Sequence, residues 1–302
     1  MGRDILPLHG RVAIVTGAGG GLGRTHALYL AKQGARVVVN DLAIAAAEQV
    51  ASEIVANGGE ALAIAASVTD EAAVGAMVRD TQGAWGRIDI LVNNAGILRD
   101  KSFAKMSIDD FRLVVDVHLM GAAICCKAVW DVMRVQQYGR IVMTTSSSGL
   151  WGNFGQANYG AAKMALVGLM QTLAIEGEKY GIRVNSLAPT AATQMTHGVL
   201  ADASLELLDP ALVSPGLLAL VCEDAPTRAI LCAGAGHFAC ADVTLSEGLY
   251  IGAGADAGEQ LVAHWADASD REAAIVPAYG FTQAERELAS AGSRSPALAA
   301  AR

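Results

Sequence analysis

Tyr159 and Lys163 are four residues apart, a spacing that puts both side chains on one face of a helix. A free phenol has a pKa of about 10 and is a poor base at neutral pH; bringing it to about 7 takes roughly 4 kcal/mol of preference for the phenolate. A neighbouring ammonium supplies part of that preference. Ser146 lies 13 residues before Tyr159 and offers a hydroxyl that can hydrogen-bond the same substrate oxygen. The chemistry such a set performs is proton transfer at a substrate hydroxyl or carbonyl.

A second motif precedes it. TGAGGGLGR, residues 16–24, carries Gly17, Gly21 and Gly23 at the spacing Gly-x-x-x-Gly-x-Gly, after an apolar strand-like run and before a helical one. Bare glycines allow positive φ and let backbone N–H groups approach a pyrophosphate at the positive end of a helix. Asp41, 24 residues beyond Gly17, falls where a carboxylate can accept hydrogen bonds from an adenosine ribose. A 2′-phosphate there would face a negative charge, so NAD is expected over NADP. A basic residue that would rescue phosphate binding is absent at Gly20 and at Leu42. Arg24 is the nearby cation, read as a solvated or phosphate-side charge that sets no preference. The cationic nicotinamide ring of NAD would add to the ammonium in favouring the phenolate.

These motifs need a scaffold, and residues 11–190 supply the pattern of one. Short β-branched runs at 11–16, 35–40, 61–66, 87–93, 139–145 and 182–188 alternate with helical runs near 22–33, 44–57, 70–84, 109–136 and 157–179. Several strands are apolar almost throughout, as strands covered on both faces are. The expectation is an α/β fold, a Rossmann-like doubly wound parallel sheet of about seven strands, the last at 229–233, with a further strand or hairpin after it. Residues 1–252 read as one NAD-binding domain. Past Pro189 the rhythm breaks, and about 190–215 reads as a substrate-covering lid with apolar Met195, Leu200, Leu205, Leu207 and Leu208. Residues 253–302 read as a partly ordered C-terminal extension with one amphipathic stretch at 258–270 and disorder in the last ten residues; either a subunit-clasping arm or a loose tail fits its composition.

Composition narrows the function classes. The 302 residues are 53% hydrophobic and 17% charged, with a formal net charge of −8, which argues against nucleic acid or anionic membrane as a partner. Gly, at 33 residues, is well above the usual share of about 7% while Pro numbers 7, so the excess is not a signature of disorder. Five Cys include the adjacent Cys125 and Cys126 and no pair at a zinc-ribbon spacing, so buried reduced thiols and no metal are expected. The N-terminus has no apolar run of signal-peptide length, Leu6 stands where myristoylation wants Ser or Thr, and the ending Ala-Ala-Arg is not a peroxisomal tripeptide. A soluble cytoplasmic protein is the expectation.

TGAGGGLG, NNAG at 93–96, Ser146, Tyr159 and Lys163 together resemble the short-chain dehydrogenase/reductase family over roughly residues 10–250. Through VVVNDL, NNAGILRDKSFAKMS, GRIVMTTSSSG, GNFGQANYGAAK and LAIEG, the chain is most similar to the (3R)-hydroxyacyl-CoA dehydrogenase domain of peroxisomal multifunctional enzymes and its bacterial relatives. The resemblance implies that Tyr159 is the acid/base, that Lys163 lowers its pKa and holds the nicotinamide ribose, and that Ser146 positions the carbinol or carbonyl. It implies a cofactor site at Gly17, Gly21, Leu22, Gly23, Asp41, Ser67, Val68, Asn93, Ala95, Gly96 and Pro189, with Asn93 bracing the sheet beside the cofactor.

Three positions depart from the family pattern. His118 stands where most members have an Asn completing a proton relay, and either relays a proton itself or is structural. Ser67-Val68 replaces Asp-Val, weakening the partner for the adenine amine. Pro189-Thr190 replaces Pro-Gly, and Thr193 and Thr196 compete for a carboxamide or phosphate contact. The implied substrate is a small molecule, an acyl-CoA or a hydroxysteroid; a catalytically silent dinucleotide binder is the remaining alternative. Arg99, Lys101 and Lys105 either meet the phosphates of a CoA ester or are solvated. Trp151 and Phe154 line the substrate mouth or a packed turn. Val114, Val115, Leu119, Leu166, Leu169 and Met170 exceed what one sheet face needs, which points to a homodimer or homotetramer.

Overall fold

The computed structural model describes residues 6–192 and 205–292. Two compact units divide the chain at Ala241/Asp242, eleven residues before the boundary expected from the sequence. In the first unit the β-branched runs form β1 (Val12–Thr16), β2 (Arg36–Asp41), β3 (Ala61–Ala65), β4 (Ile90–Asn93), β5 (Gly139–Thr144), β6 (Ile182–Thr190), β7 (Ile230–Gly234) and β8 (His237–Ala241). They make one eight-stranded sheet in the order β3-β2-β1-β4-β5-β6-β7-β8. The first seven strands are parallel, and β8 turns back antiparallel on β7, the extra strand beyond the expected seven. Ala235 and Gly236, both at positive φ, make that two-residue turn. β6 runs two residues further than its apolar run suggests: β5 pairs only as far as Leu187, so Pro189, which lacks an N–H, costs that ladder nothing.

Helices α1 (Gly21–Lys32), α2 (Ile44–Ala56), α3 (Glu71–Trp85), α4 (Ile108–Val115), α5 (Gly121–Gln136), α6 (Ser147–Trp151) and α7 (Ala157–Gly177) connect the strands. Because side chains alternate across a strand, β1 sends Ala13 and Val15 to a core layer shared with Ala27, Leu30, Val50 and Ile54, and Ile14 to a second layer with Met77, Val129 and Leu166. A strand buried on both faces must be apolar at every position, which is why VAIVT shows no alternation. Between α4 and α5 one π-helical turn, Asp116–Met120, interrupts what the sequence presents as a single helix. The run Ile108–Gln136 is long and apolar enough to cross a membrane, a test that core helices also pass, and Val114, Cys125, Cys126, Val129 and Met133 on it are buried.

The apolar surplus read as a subunit interface is taken up largely by the core. Val114, Leu166 and Met170 are fully buried, and Leu119 and Leu169 pack against the same layer. Of the segment expected to form a lid, residues 205–215 are described: Ala192 N–H donates to the Leu208 carbonyl, and a 3₁₀ turn at Pro210–Leu212 leads into the helix Ser214–Val221. Residues 193–204, with Thr193, Met195, Thr196 and Leu200, lie outside the described residues, as do the last ten.

The second unit holds helices Ala257–Ala263, Trp265–Ala268 and Thr282–Gly292 and a bridge between Leu245 and Ile275. Its internal ties include Ser246 donating to the Ala268 carbonyl at 2.9 Å, Arg286 donating to the Ser246 carbonyl at 3.0 Å, and the paired rings of Tyr279 and Phe281. None of its described residues is buried.

Candidate active site

β1 lies where the strand order reverses, with β2 on one side and β4 on the other, so a crevice opens beyond the C-terminal ends of β1 and β4. The glycine motif sits at its floor. Gly17 has φ +61°, and a Cβ on it would lie 2.8 Å from the Ala95 Cα; a Cβ on Gly23 would lie 2.2 Å from the Gly17 carbonyl oxygen and 2.5 Å from Asn94 Nδ2. At Gly20 a Cβ would meet nothing within 4 Å. The loop is thus packed against Asn94 and Ala95 just past β4 and, at Gly19, against Asp41 and Ala46, and is open at Gly20, a cradle into which a phosphate can descend onto the first turn of α1. Asp41 Oδ2 accepts the Gly19 N–H at 3.0 Å and Oδ1 accepts the Ala43 N–H at 3.1 Å, so the carboxylate ends β2 folded back on the loop. Arg24 is paired with Glu53 at 2.6 Å rather than aimed at a phosphate.

The brace between β1 and β4 comes from a residue the sequence reading passed over. Asn94 donates from Nδ2 to the Thr16 and Gly17 carbonyls at 2.9 and 3.1 Å, and Thr16 Oγ1 accepts the N–H groups of Asn94 and Ala95. Asn93, assigned that role by resemblance, turns its amide toward Cys126 Sγ and Met143 Sδ instead. Asn93 is the last residue of β4 and points to the sheet face covered by α5, where Cys126 lies, while Asn94, just past the strand, reaches the end of β1. Ser67 closes a local turn with Thr69 at 2.8 Å, and Val68 wedges against Gly121 at the start of α5.

Ser146, Tyr159 and Lys163 do converge. Ser146 follows β5 in extended conformation, caps α6 through its Oγ, and lies close enough to Tyr159 to favour its ionised form. Lys163 is buried on α7; its Nζ donates to the Thr144 carbonyl at 2.5 Å and stands 5.5 Å from the Tyr159 ring centre, while Thr145 Oγ1 donates back to the Lys163 carbonyl at 2.7 Å. Burial lowers the Lys163 ammonium to about 7. Burial also raises the Tyr159 phenol; the Ser146 hydroxyl acts against it and the Asp100 charge adds to it. Burial thus opposes the charged form of both groups, and Lys163 turns its amine to the Thr144 carbonyl. Further positive charge at the crevice is what lowering the phenol requires.

His118 reaches the site from the π-helical turn. Its ring lies edge-on to Tyr159 at 5.3 Å between centres, and Nε2 contacts both the carbonyl and the N–H of Ile97, at 2.8 and 3.1 Å. Burial lowers its pKa to about 3, so the ring is neutral at physiological pH. A Cβ on Gly96 would lie 2.2 Å from His118 Cε1, so the imidazole fills the space a side chain there would take. A cavity of about 10 Å³, the size of one water, is lined by Asn93, His118 and Lys163 among others, and the buried His118 Nδ1 and Asn93 Oδ1 have no protein partner. Trp151 and Phe154 are exposed, which removes the packed-turn alternative for both. Lys101 and Arg99 are held by Asp110 at 3.1 and 4.0 Å.

Fold and site together define a Rossmann-like protein with a bare phosphate cradle on one side of its crevice and an acid/base pair on the other. The short chain dehydrogenase family model matches residues 11–203, and the chain belongs to that family, whose members act on CH–OH groups. It is 50% identical over 224 residues to peroxisomal multifunctional enzyme type 2 of Drosophila melanogaster, covering 71% of this chain and 37% of that one. The solved full-length structure of the fly enzyme superposes with a TM-score of 0.78 at 38% identity, over 94% of this chain and 49% of that one. The chain thus spans about a third to a half of the multifunctional protein. A short-chain type dehydrogenase/reductase of Mycobacterium tuberculosis is 48% identical over 228 residues, 72% of this chain and 80% of that one. 7α-Hydroxysteroid dehydrogenase, solved with NADH and 7-oxo-glycochenodeoxycholic acid, gives a TM-score of 0.72 at 30% identity, over 78% of this chain and 98% of that one.

Proposed function

We propose that the chain is an NAD-dependent oxidoreductase interconverting a secondary alcohol and a ketone, with a (3R)-3-hydroxyacyl-CoA and its 3-oxoacyl-CoA as the substrate pair. The observation that carries the reading is the meeting of Ser146, Tyr159 and Lys163 at the C-terminal edge of the sheet, beside the glycine cradle. Bound there, a nicotinamide dinucleotide supplies the acceptor for the hydride on the alcohol carbon. Tyr159 takes the hydroxyl proton, Ser146 holds the same oxygen, and Lys163 favours the phenolate in its ammonium form. Gly17, Gly21, Leu22 and Gly23 would hold the pyrophosphate and Asp41 the adenosine ribose. Val68, Ala95, Gly96 and Pro189 would line the rest of the cofactor path. Asp41 supports NAD over NADP, since a 2′-phosphate would meet a carboxylate with the nearest cation, Arg24, already paired to Glu53.

Similarity to the multifunctional enzymes supports the acyl-CoA substrate. The likeness to 7α-hydroxysteroid dehydrogenase favours a second reading, a hydroxysteroid or other bulky secondary alcohol. A cytoplasmic homodimer or homotetramer completes the proposal. The test is NADH formation with (3R)- and (3S)-hydroxyacyl-CoA esters of several lengths and with hydroxysteroids, each with NAD and NADP. Fast, NAD-linked, R-selective turnover of CoA esters is expected. Steroid turnover alone moves the function to the second reading, and bound NADH with no turnover of either class leaves a silent binder.

A further inference from the structure

Asp100 lies in the loop that follows NNAG, and its carboxylate has a neutral partner. Gln156 Nε2 donates to Asp100 Oδ2 at 2.7 Å. The same Gln156 accepts on Oε1 from Ser148 Oγ at 2.7 Å and from Asn153 Nδ2 at 3.3 Å. Three backbone ties run beside this chain. Lys101 N–H donates to the Gly155 carbonyl at 2.9 Å, Asn158 Nδ2 donates to the Arg99 carbonyl at 3.1 Å, and Asn158 Oδ1 accepts the Tyr159 N–H at 2.8 Å. Residues 99–101 are therefore strapped both to the segment that starts at Ser146 and to the first turn of α7, which carries Tyr159. The cations on either side of Asp100 do not neutralise it, since Arg99 and Lys101 are both turned to Asp110.

We infer that Asp100 and Gln156 are positioning residues of the active site: the Asp100–Gln156–Ser148 strap fixes Tyr159 relative to Ser146 and places an uncompensated carboxylate that shifts the pH at which Tyr159 works. This rests on the reading of Tyr159 as the acid/base. The groups facing Tyr159 are Ser146 after β5, His118 from the π-helical turn, Lys163 one turn along α7, and Asp100 from the loop after β4. Burial keeps His118 neutral, so Asp100 is the one negative charge in this set, and it opposes ionisation of the phenol.

Asp100→Asn keeps the shape and an oxygen to accept from Gln156 while removing the charge. In the oxidation direction Tyr159 works as phenolate, so activity rises with pH through its ionisation. In Asp100→Asn that rise moves to lower pH by about half a unit, with the KM for cofactor unchanged. Gln156→Ala keeps the charge and cuts the strap; kcat falls severalfold, with a smaller displacement of the profile. The phenolate is also titrated directly by ultraviolet absorbance in the full-length protein, with Tyr159→Phe as blank, a readout that needs no turnover. Retained turnover in Tyr159→Phe would overturn the acid/base reading itself. Loss of turnover there, with profile and titration unmoved in Asp100→Asn, overturns the present inference alone.

Discussion

The two sides of the crevice are built on opposite principles. On the side of β1 and β2 the working surface is backbone, and what matters is the side chains that are missing: at Gly17, Gly19 and Gly23 an added Cβ would lie within 3 Å of another atom. On the side of β5 and α7 the working groups are side chains taken out of water, and burial moves both Tyr159 and Lys163 away from their charged forms. One side binds by vacancy and fixed dipoles; the other stores reactivity as unfavourable charge. It follows that damage to the first should appear in cofactor affinity, and damage to the second in turnover.

Tyr159→Phe separates the two most strongly. Turnover is expected to fall by about 10³-fold or more, with NADH binding by fluorescence titration near that of the unmodified protein. Lys163→Met should cost about 10²-fold in kcat and also raise the melting temperature near neutral pH. The sign follows from linkage. A folded-state value of about 7 against 10.5 unfolded means that the unfolded chain binds one more proton between those limits, so stability rises with pH across that window and the penalty is full at and below about 7. The stabilisation by Lys163→Met is therefore largest at or below pH 7 and fades toward pH 10.5, which melting curves across that range will check.

Gly23→Ala probes the other side. Overpacking against the Gly17 carbonyl costs about 1–3 kcal/mol, enough to raise the KM for cofactor about tenfold while kcat in saturating cofactor changes little. A loss confined to kcat would end the division drawn between the two sides. Asp41→Asn has the smallest effect of the four, about a threefold drop in the ratio of kcat/KM for NAD to that for NADP, because it removes one repulsive charge without supplying a cation.

What could be read in advance divides along the same line. β1, β2 and β4 and the glycine motif were legible because a strand buried on both faces and a loop without side chains each leave a local mark. Asp41 was legible for the same reason, as the end of a β-branched run. The π-helical turn that delivers His118 left none, because apolar spacing continues through it from α4 to α5. Nor did the exchange of roles between Asn93 and Asn94, which depends on where β4 ends, or the pairing of Asp100 with Gln156, 56 residues apart. Spacing brought Tyr159 and Lys163 together but said nothing of their dehydration, which depends on the elements stacked around them. The second unit was least legible: with none of its described residues buried, it has no inward face to impose a periodicity.

The fit of His118 into the space above Gly96 imposes an order on any route of change. While the imidazole is in place, no side chain can be added at 96, since its first carbon would overlap the ring. If position 118 shrinks first, room opens and a side chain at 96 becomes tolerable; once that side chain has arrived, the histidine has no way back. The pair works as a ratchet, in which the same two substitutions are acceptable in one sequence of events and destructive in the other.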